Sequence, residues 1–330
     1  MNHQPRWTEW SISMLNGLIG DYLHERRNGL AIAMACYHAN RPLPLTSASL
    51  RRVHPNPTPK LCLLVHGLGC HEGIWNFPAM ADAGVTYGSL LQQELGYTPF
   101  YVRYNTGLPV ADNGQRLAGL MEELLVGYPV GIDEIVLLGH SMGGLVLRSA
   151  CHYGSRHACR WVEKVRQVCY LGTPHEGADL ESVGHWVTTV LVAVPNPITR
   201  LIGKILNQRS QGIKDLRRSR QRVAVGLDEP PAAGQGAWNT VPWLAHARHR
   251  VLGGTLTDDP QQLLAVLLGD ALVRAPCATM DYPPNVSITL LPNIHHLQLA
   301  HDARVYQQIK RWCLNDEEET AHVAVNDHPT

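Results

Sequence analysis

The sequence of 330 residues has no excess of charge of either sign. Lysine plus arginine and aspartate plus glutamate number 28 each, and charged residues make up only 17% of the chain. A strong basic excess is the electrostatic feature that draws a protein to nucleic acid. The balance therefore excludes a global field of that kind, and we expect no nucleic-acid partner.

The chain also lacks a cysteine framework, a membrane-spanning run and an export signal. Its eight cysteines form no Cys-x-x-Cys pair, which favours free thiols in a reducing compartment. No uninterrupted apolar run reaches the roughly 18 residues that a spanning helix needs. Residues 1–10 do not show a basic region followed by an apolar stretch and a cleavage site, as a secretory signal would. We therefore expect a cytoplasmic protein.

One short segment does predict chemistry. Four apolar residues from Ile135 lead into Gly139-His140-Ser141-Met142-Gly143, and an apolar helical pattern follows. A Gly-x-Ser-x-Gly sequence between a strand and a helix is typical of a nucleophile elbow, in which a sharp, strained turn holds the serine hydroxyl over the sheet. Side chains at Gly139 and Gly143 would collide in such a turn. The pattern predicts Ser141 as a nucleophile.

Strands and helices alternate through most of the chain. Helices are predicted over about 113–126 and about 302–314. Continuous apolar strands separated by helices indicate a mostly parallel central sheet with helices on both faces. The predicted strands cover residues 61–65, 98–104, 134–138, 165–171, 248–253 and 286–291.

The ends of the chain differ from this central part. Residues 7–39 have apolar residues at roughly helical spacing, so we expect a mostly helical extension packed on the domain. Residues 40–59 contain five prolines and are predicted to form an extended linker. The α/β domain is expected to cover residues 60–314, and the polar segment 315–330 to be a disordered tail.

A long insertion separates the fourth and fifth predicted strands. Residues 175–245 exceed the usual crossover length, and long insertions are commonly functional. Within them residues 186–194 are apolar and residues 200–222 are basic. A lid or cap over the site is the preferred interpretation, and a helical insertion with a solvated basic face is the alternative. The stretch 186–222 is also a candidate for peripheral contact with anionic lipids.

A nucleophilic serine needs a base and a group that orients the base. His295 and His296 follow the last predicted strand, in a loop that can reach back over the elbow. His296 is preferred because apolar residues that follow it anchor its loop. For the carboxylate, Asp270 is preferred over Asp258. The resulting chain order, Ser141, Asp270, His296, is that of α/β-hydrolases.

The remaining parts of the site are predicted from position. An oxyanion hole needs two backbone N–H groups aimed at the developing charge. Met142 follows the nucleophile and supplies one of them; Leu68, in the glycine-rich loop after the first predicted strand, supplies the other. Trp75 and the apolar stretch 186–194 are candidates to line an acyl site, which would favour medium-length acyl chains over acetyl.

Together these motifs resemble the α/β-hydrolase superfamily, and within it bacterial lipases and esterases. The form Gly-His-Ser-Met-Gly-Gly, followed later by Gly-Thr-Pro-His-x-Gly, is similar to triacylglycerol lipases and to the deacylases of GPI-anchor inositol. The resemblance extends over about 60–314 and is carried by residues 64–68, 103–107, 139–144, 171–177, 269–273 and 296–297.

The resemblance implies an α/β-hydrolase fold with a lid or cap insertion. It further implies hydrolysis of a small-molecule or lipid carboxylic ester through an acyl-serine intermediate, without a cofactor. The structural calcium site of such lipases matches no residue here, so no metal is expected. Many bacterial lipases are secreted, so the lack of an export signal favours a cytoplasmic esterase. An acyltransferase with the same triad and a non-catalytic binding protein are the alternatives.

Overall fold

The computed structural model describes residues 6–175, 241–255, 283–314 and 324–325. The body of the expected lid or cap insertion, with residues 186–194 and 200–222, lies outside these residues. Asp258 and Asp270 also lie outside them, as does nearly all of the expected tail 315–330.

The described strands form one mostly parallel sheet. Its strand order is β2-β1-β4-β3-β5-β6-β7-β8-β9. All neighbouring pairs from β4 to β9 are parallel, whereas β1 is antiparallel to both β2 and β4. The strands are β1 (Ala35–His38), β2 (Arg41–Pro42), β3 (Lys60–Val65), β4 (Thr98–Arg103), β5 (Glu134–His140), β6 (Val165–Leu171), β7 (Arg248–Gly254), β8 (Val286–Leu291) and β9 (Ala324–Val325).

Helices cover both faces of this sheet. The α-helices are α1 (Arg6–Glu25), α2 (Ser47–Val53), α3 (Tyr87–Leu95), α4 (Val110–Gly127), α5 (Met142–Arg156) and α6 (Ala303–Leu314). Short 3-10 helices span Glu72–Trp75, Pro78–Ala83, Val162–Lys164 and His296–Ala300.

The buried residues of β3 explain the layered arrangement. Successive side chains of a strand point to opposite faces; here Leu61, Leu63 and Val65 join the core cluster that includes α1, α4 and α5. Cys62 and Leu64 join the cluster on the other face, with residues of α3 and α6. Residues 61–65 of β3, which are all apolar, are therefore buried on both sides of the sheet, as the sequence predicted.

The N-terminal part of the chain differs from the prediction. Helix α1 provides the mostly helical segment expected within residues 7–39, although β1 ends that range. Residues 40–59 are not simply an extended linker, because β2 completes a hairpin with β1 that continues the sheet and α2 follows it. Ala39 and Asn40 close the hairpin with φ values of 48° and 61°, the left-handed geometry of the tightest hairpin turns. Because β2 is an edge strand, it tolerates Pro42.

The other end also departs from expectation. Ala324–Val325 form β9, which pairs with β8 at Thr289 and Leu290. At least these two residues of the expected disordered tail therefore extend the sheet.

Candidate active site

Ser141 lies in a strained turn between β5 and α5. Its backbone has φ 54° and ψ −125°, a region that costs a residue with a side chain of the order of 1–3 kcal/mol. The Ser141 N–H donates to the Leu171 carbonyl oxygen at 2.8 Å, which ties the turn to the end of β6. This backbone conformation is the one that the Gly-x-Ser-x-Gly pattern predicts.

Glycines permit the tight packing around this turn. A Cβ atom added to Gly139 would lie 2.6 Å from the Gly144 Cα atom. One added to Gly143 would overlap the Val65 carbonyl oxygen and lie 2.6 Å from the carbonyl oxygen of His66. Since real Cβ atoms do not approach other atoms so closely, α5 can begin directly over β3 only if these positions lack side chains.

His296 opens the 3-10 helix His296–Ala300 beyond β8 and lies over the end of β6. A Cβ atom added to Gly172 would be 2.9 Å from His296 Nδ1, so the imidazole occupies the space above that glycine. Gly172 directly follows Leu171, the residue that receives the Ser141 N–H. The structure thus brings position 141 and the His296 ring to neighbouring residues of one strand end, whereas the side chain of His295 is exposed.

Burial lowers the pKa of His296 to about 4. The imidazole is therefore neutral near pH 7, which is the state that a general base requires. A carboxylate beside the ring would oppose this effect by stabilising the imidazolium. The predicted carboxylates Asp270 and Asp258 lie outside the described residues, and the assignment of the acid stays a prediction.

His140 supports the loop that carries His296. Its Nε2 lies 2.9 Å from the His296 carbonyl oxygen; because a carbonyl only accepts, Nε2 carries the proton. The two rings are 5.0 Å apart between centroids. Burial, followed by the neighbouring His296, lowers the pKa of His140 to about 3, so it remains a neutral donor.

The two backbone N–H groups predicted to form an oxyanion hole belong to Met142 and Leu68, and that role stays a prediction. Met142 is the first residue of α5, so its N–H lies outside the intrahelical hydrogen bonds. Leu68 lies in the loop after β3, and within the described residues its N–H donates to no acceptor. That loop lies close to Ser141, because a Cβ atom added to Gly67 would be 3.0 Å from Ser141 Cβ.

Trp75 is fully buried close to the elbow. Its ring contacts those of His140 and Tyr87 at centroid distances of 6.4 and 6.0 Å. Trp75 therefore packs against His140, and its role in lining an acyl site stays a prediction.

Sequence reasoning missed the side chains that hold the histidine loop. The Tyr87 hydroxyl accepts the Asp302 N–H at 2.8 Å and lies 2.9 Å from the Asp302 carbonyl oxygen. His301 Nδ1 lies 3.0 Å from the Ile74 carbonyl oxygen. These contacts join residues more than 200 positions apart, and no local pattern marks them.

Two further properties of the described residues concern metal binding and membrane spanning. They contain no group of three or more histidine, cysteine, aspartate or glutamate side chains that could hold a metal ion. No helix within the ranges given above is both long and apolar enough to cross a membrane.

The sheet order, the covered faces and the elbow define an α/β-hydrolase fold, which confirms the resemblance inferred from the motifs. The sequence model of one family, the PGAP1-like alpha/beta domain, matches residues 116–196. This stretch contains the elbow and β6. No curated protein matches the chain.

Solved structures similar to this chain include lipases and esterases. One is the mature lipase BlEst2 of Bacillus licheniformis, 18% identical, with a TM-score of 0.47 over 78% of this chain and 94% of that one. Another is a thermophilic esterase from Thermogutta terrifontis, 17% identical, with a TM-score of 0.41 over 78% and 90%. The esterase Pf2001 of Pyrococcus furiosus is 12% identical, with a TM-score of 0.42 over 78% and 81%.

Proposed function

We propose that the protein is a serine hydrolase that cleaves carboxylic esters through an acyl-serine intermediate. The observation that carries this proposal is the strained backbone of Ser141, which is hydrogen-bonded to Leu171 at the end of β6, where the His296 imidazole lies over the next residue, Gly172. The Ser141 side chain makes no capping hydrogen bond to α5, so helix capping does not account for its strained backbone. In acyl transfer, a serine held in this way acts as the nucleophile and a neutral imidazole acts as its base.

The reaction follows from the position of each group. Ser141 Oγ attacks the ester carbonyl carbon while His296 takes the hydroxyl proton. The N–H groups of Leu68 and Met142 stabilise the negative oxygen of the tetrahedral intermediate. The intermediate collapses, the C–O bond to the alcohol breaks, and the imidazolium of His296 protonates the leaving alcohol.

A water molecule then completes the cycle. His296 removes a proton from the water, whose oxygen attacks the acyl carbon; collapse of the second intermediate releases the acid and returns the proton to Ser141. We assign Asp270 as the carboxylate that orients His296 and stabilises its charged form. No cofactor takes part in any step.

Hydrolysis of a series of p-nitrophenyl esters, from acetate to long acyl chains, tests the proposal. We expect turnover by the wild type, with medium chains preferred over acetyl, and loss of turnover by more than about 1,000-fold in Ser141→Ala and in His296→Gln. His295→Gln is the matched control, since that neighbouring side chain is exposed. Equal activity of the wild type and Ser141→Ala would refute the proposal.

Analysis of the products distinguishes hydrolysis from acyl transfer. We expect free acid as the main product with and without an added alcohol or amine acceptor. Formation mainly of the acceptor ester or amide would instead identify an acyltransferase, since fold and triad are common to both.

Contact with lipid surfaces through 186–222 is a separate proposal. Co-sedimentation of the protein with vesicles tests it, and binding that does not increase with the anionic lipid content would refute it.

A further inference from the structure

Helix α1 lies directly against the loop that carries the Leu68 N–H. A Cβ atom added to Gly17 would be 2.9 Å from the Gly69 Cα atom, 3.0 Å from the Gly69 nitrogen and 3.3 Å from Thr106 Oγ1. We call this loop, residues 66–69, the oxyanion loop. The backbone of α1 approaches it as closely as only a glycine permits.

The segment after β4 is enclosed between α1 and this loop. Asn105 Nδ2 donates to the Gly20 carbonyl oxygen at 2.8 Å. A Cβ atom on Gly20 would overlap the Asn105 amide, and one on Gly107 would lie 2.6 Å from the Gly20 nitrogen. The position of Asn105, Thr106 and Gly107 is therefore set by contact with α1.

Thr106 connects this segment to the oxyanion loop through a hydrogen bond. Its buried hydroxyl oxygen accepts the Gly69 N–H at 2.9 Å. Gly69 has a left-handed backbone, with φ 66°, a conformation that favours glycine, and the N–H of the peptide that follows Leu68 points towards Thr106. The other end of the loop is held by Tyr104, whose hydroxyl donates to the His66 carbonyl oxygen at 2.8 Å.

An ionic contact also joins α1 to the segment that follows the oxyanion loop in the chain. The buried Arg103 guanidinium pairs with Glu9 of α1 and, through two nitrogens, with Glu72, which follows the oxyanion loop. Arg103 Nε lies 2.6 Å from Glu72 Oε2. A two-pronged arginine–carboxylate contact fixes orientation as well as distance.

We propose that α1 is part of the catalytic apparatus and that Thr106 is the positioning residue through which it orients the Leu68 N–H. This inference rests on the proposed function, because an oxyanion donor matters only if Ser141 acylates. Thr106 itself does not touch the substrate; it fixes the peptide next to the donor, and Gly17 fixes Thr106 against that peptide.

Steady-state kinetics on a p-nitrophenyl ester test this role with paired variants. Thr106→Val keeps the shape but removes the acceptor, and we expect kcat to fall about 10- to 100-fold while KM changes less than about 3-fold, since the lost interaction acts in the transition state. Thr106→Ser keeps the acceptor, and we expect it to restore kcat to within about 3-fold of wild type. Gly17→Ala is expected to lower kcat in the same direction, whereas Gly119→Ala, where an added Cβ meets nothing within 4 Å, is not.

A transition-state analogue gives a readout that general damage would not reproduce. A trifluoromethyl ketone forms an oxyanion on Ser141, so its inhibition constant should rise in proportion to the loss of kcat/KM across the variants. Proportional loss supports the inference.

The failures of the two proposals are distinguishable. If the wild type hydrolyses esters but folded Thr106→Val keeps kcat within about 2-fold, the positioning role is refuted and the proposed function stands. If Thr106→Val does not fold, an unchanged kcat in Gly17→Ala refutes the role. If the wild type neither hydrolyses esters nor is inhibited by the ketone, both proposals are refuted.

Discussion

Replacing Ser141 by glycine should make the protein more stable while abolishing its activity. The backbone of Ser141, at φ 54° and ψ −125°, belongs to a region that costs a residue with a side chain about 1–3 kcal/mol. Glycine avoids this strain but adds roughly 0.5–1 kcal/mol of chain entropy to the unfolded state. The difference predicts a gain of about 1 kcal/mol in the free energy of unfolding.

Ser141→Ala separates the strain from the hydroxyl. Alanine loses the Oγ atom, as glycine does, but it keeps the Cβ atom and therefore most of the strain, so we expect it to match the wild type within about 0.5 kcal/mol. Urea unfolding followed by circular dichroism measures all three proteins under one condition. If Ser141→Gly is no more stable than Ser141→Ala, the backbone at this position is not strained and the elbow geometry is wrong.

Two further predictions concern pH. Asp270→Asn should shift the acid limb of the kcat/KM profile down towards about pH 4, because no carboxylate then opposes the effect of burial on the pKa of His296. An unchanged acid limb, or the same shift in Asp258→Asn, would refute the assignment of Asp270 as the orienting carboxylate. Burial also lowers the pKa values of His66 and His140 to about 3, so both stay neutral in the fold but bind protons in the unfolded chain below its pKa of about 6.5. The free energy of unfolding should therefore fall by up to about 2 kcal/mol per histidine from pH 7 to pH 5, and equal urea midpoints at the two pH values would contradict this.

The central sheet could be predicted from the sequence because most of its parallel strands contain short apolar runs, such as residues 61–65 in β3 and 168–171 in β6. Residues 165–171 and 286–291 were predicted with the same bounds as β6 and β8, and β3 differs from its prediction by one residue. Such a run is typical of a strand that is buried on both faces of a parallel sheet, so it can be recognised without knowledge of distant contacts.

The β1–β2 hairpin could not be predicted in the same way. The segment around Ala35–His38 is short and apolar, and a run of this length fits a helix as well as a strand. The antiparallel pairing of β1 with β4, a strand more than 60 residues further along the chain, makes this segment a strand rather than a helix. Pairing of this kind is a tertiary effect that no local window contains.

The residues of the candidate site can be separated in the same way, into those that the local sequence identifies and those that only the fold identifies. Ser141 and the loop histidines stand next to recognisable strand ends, so position in the sequence selected them. Thr106 is hydrogen-bonded to Gly69, 37 positions away, and Tyr87 to Asp302, 215 positions away. Threonine after a strand and tyrosine at a helix start are common, and only the folded backbone gives them a role.

Labelling with a fluorophosphonate probe tests the central claim most directly. The account predicts one phosphonyl adduct per chain, mapped by mass spectrometry to Ser141, formed by the wild type and by His295→Gln but strongly slowed in His296→Gln. Failure of the wild type to form an adduct, or an adduct on another residue, would contradict the assignment of Ser141 as the nucleophile.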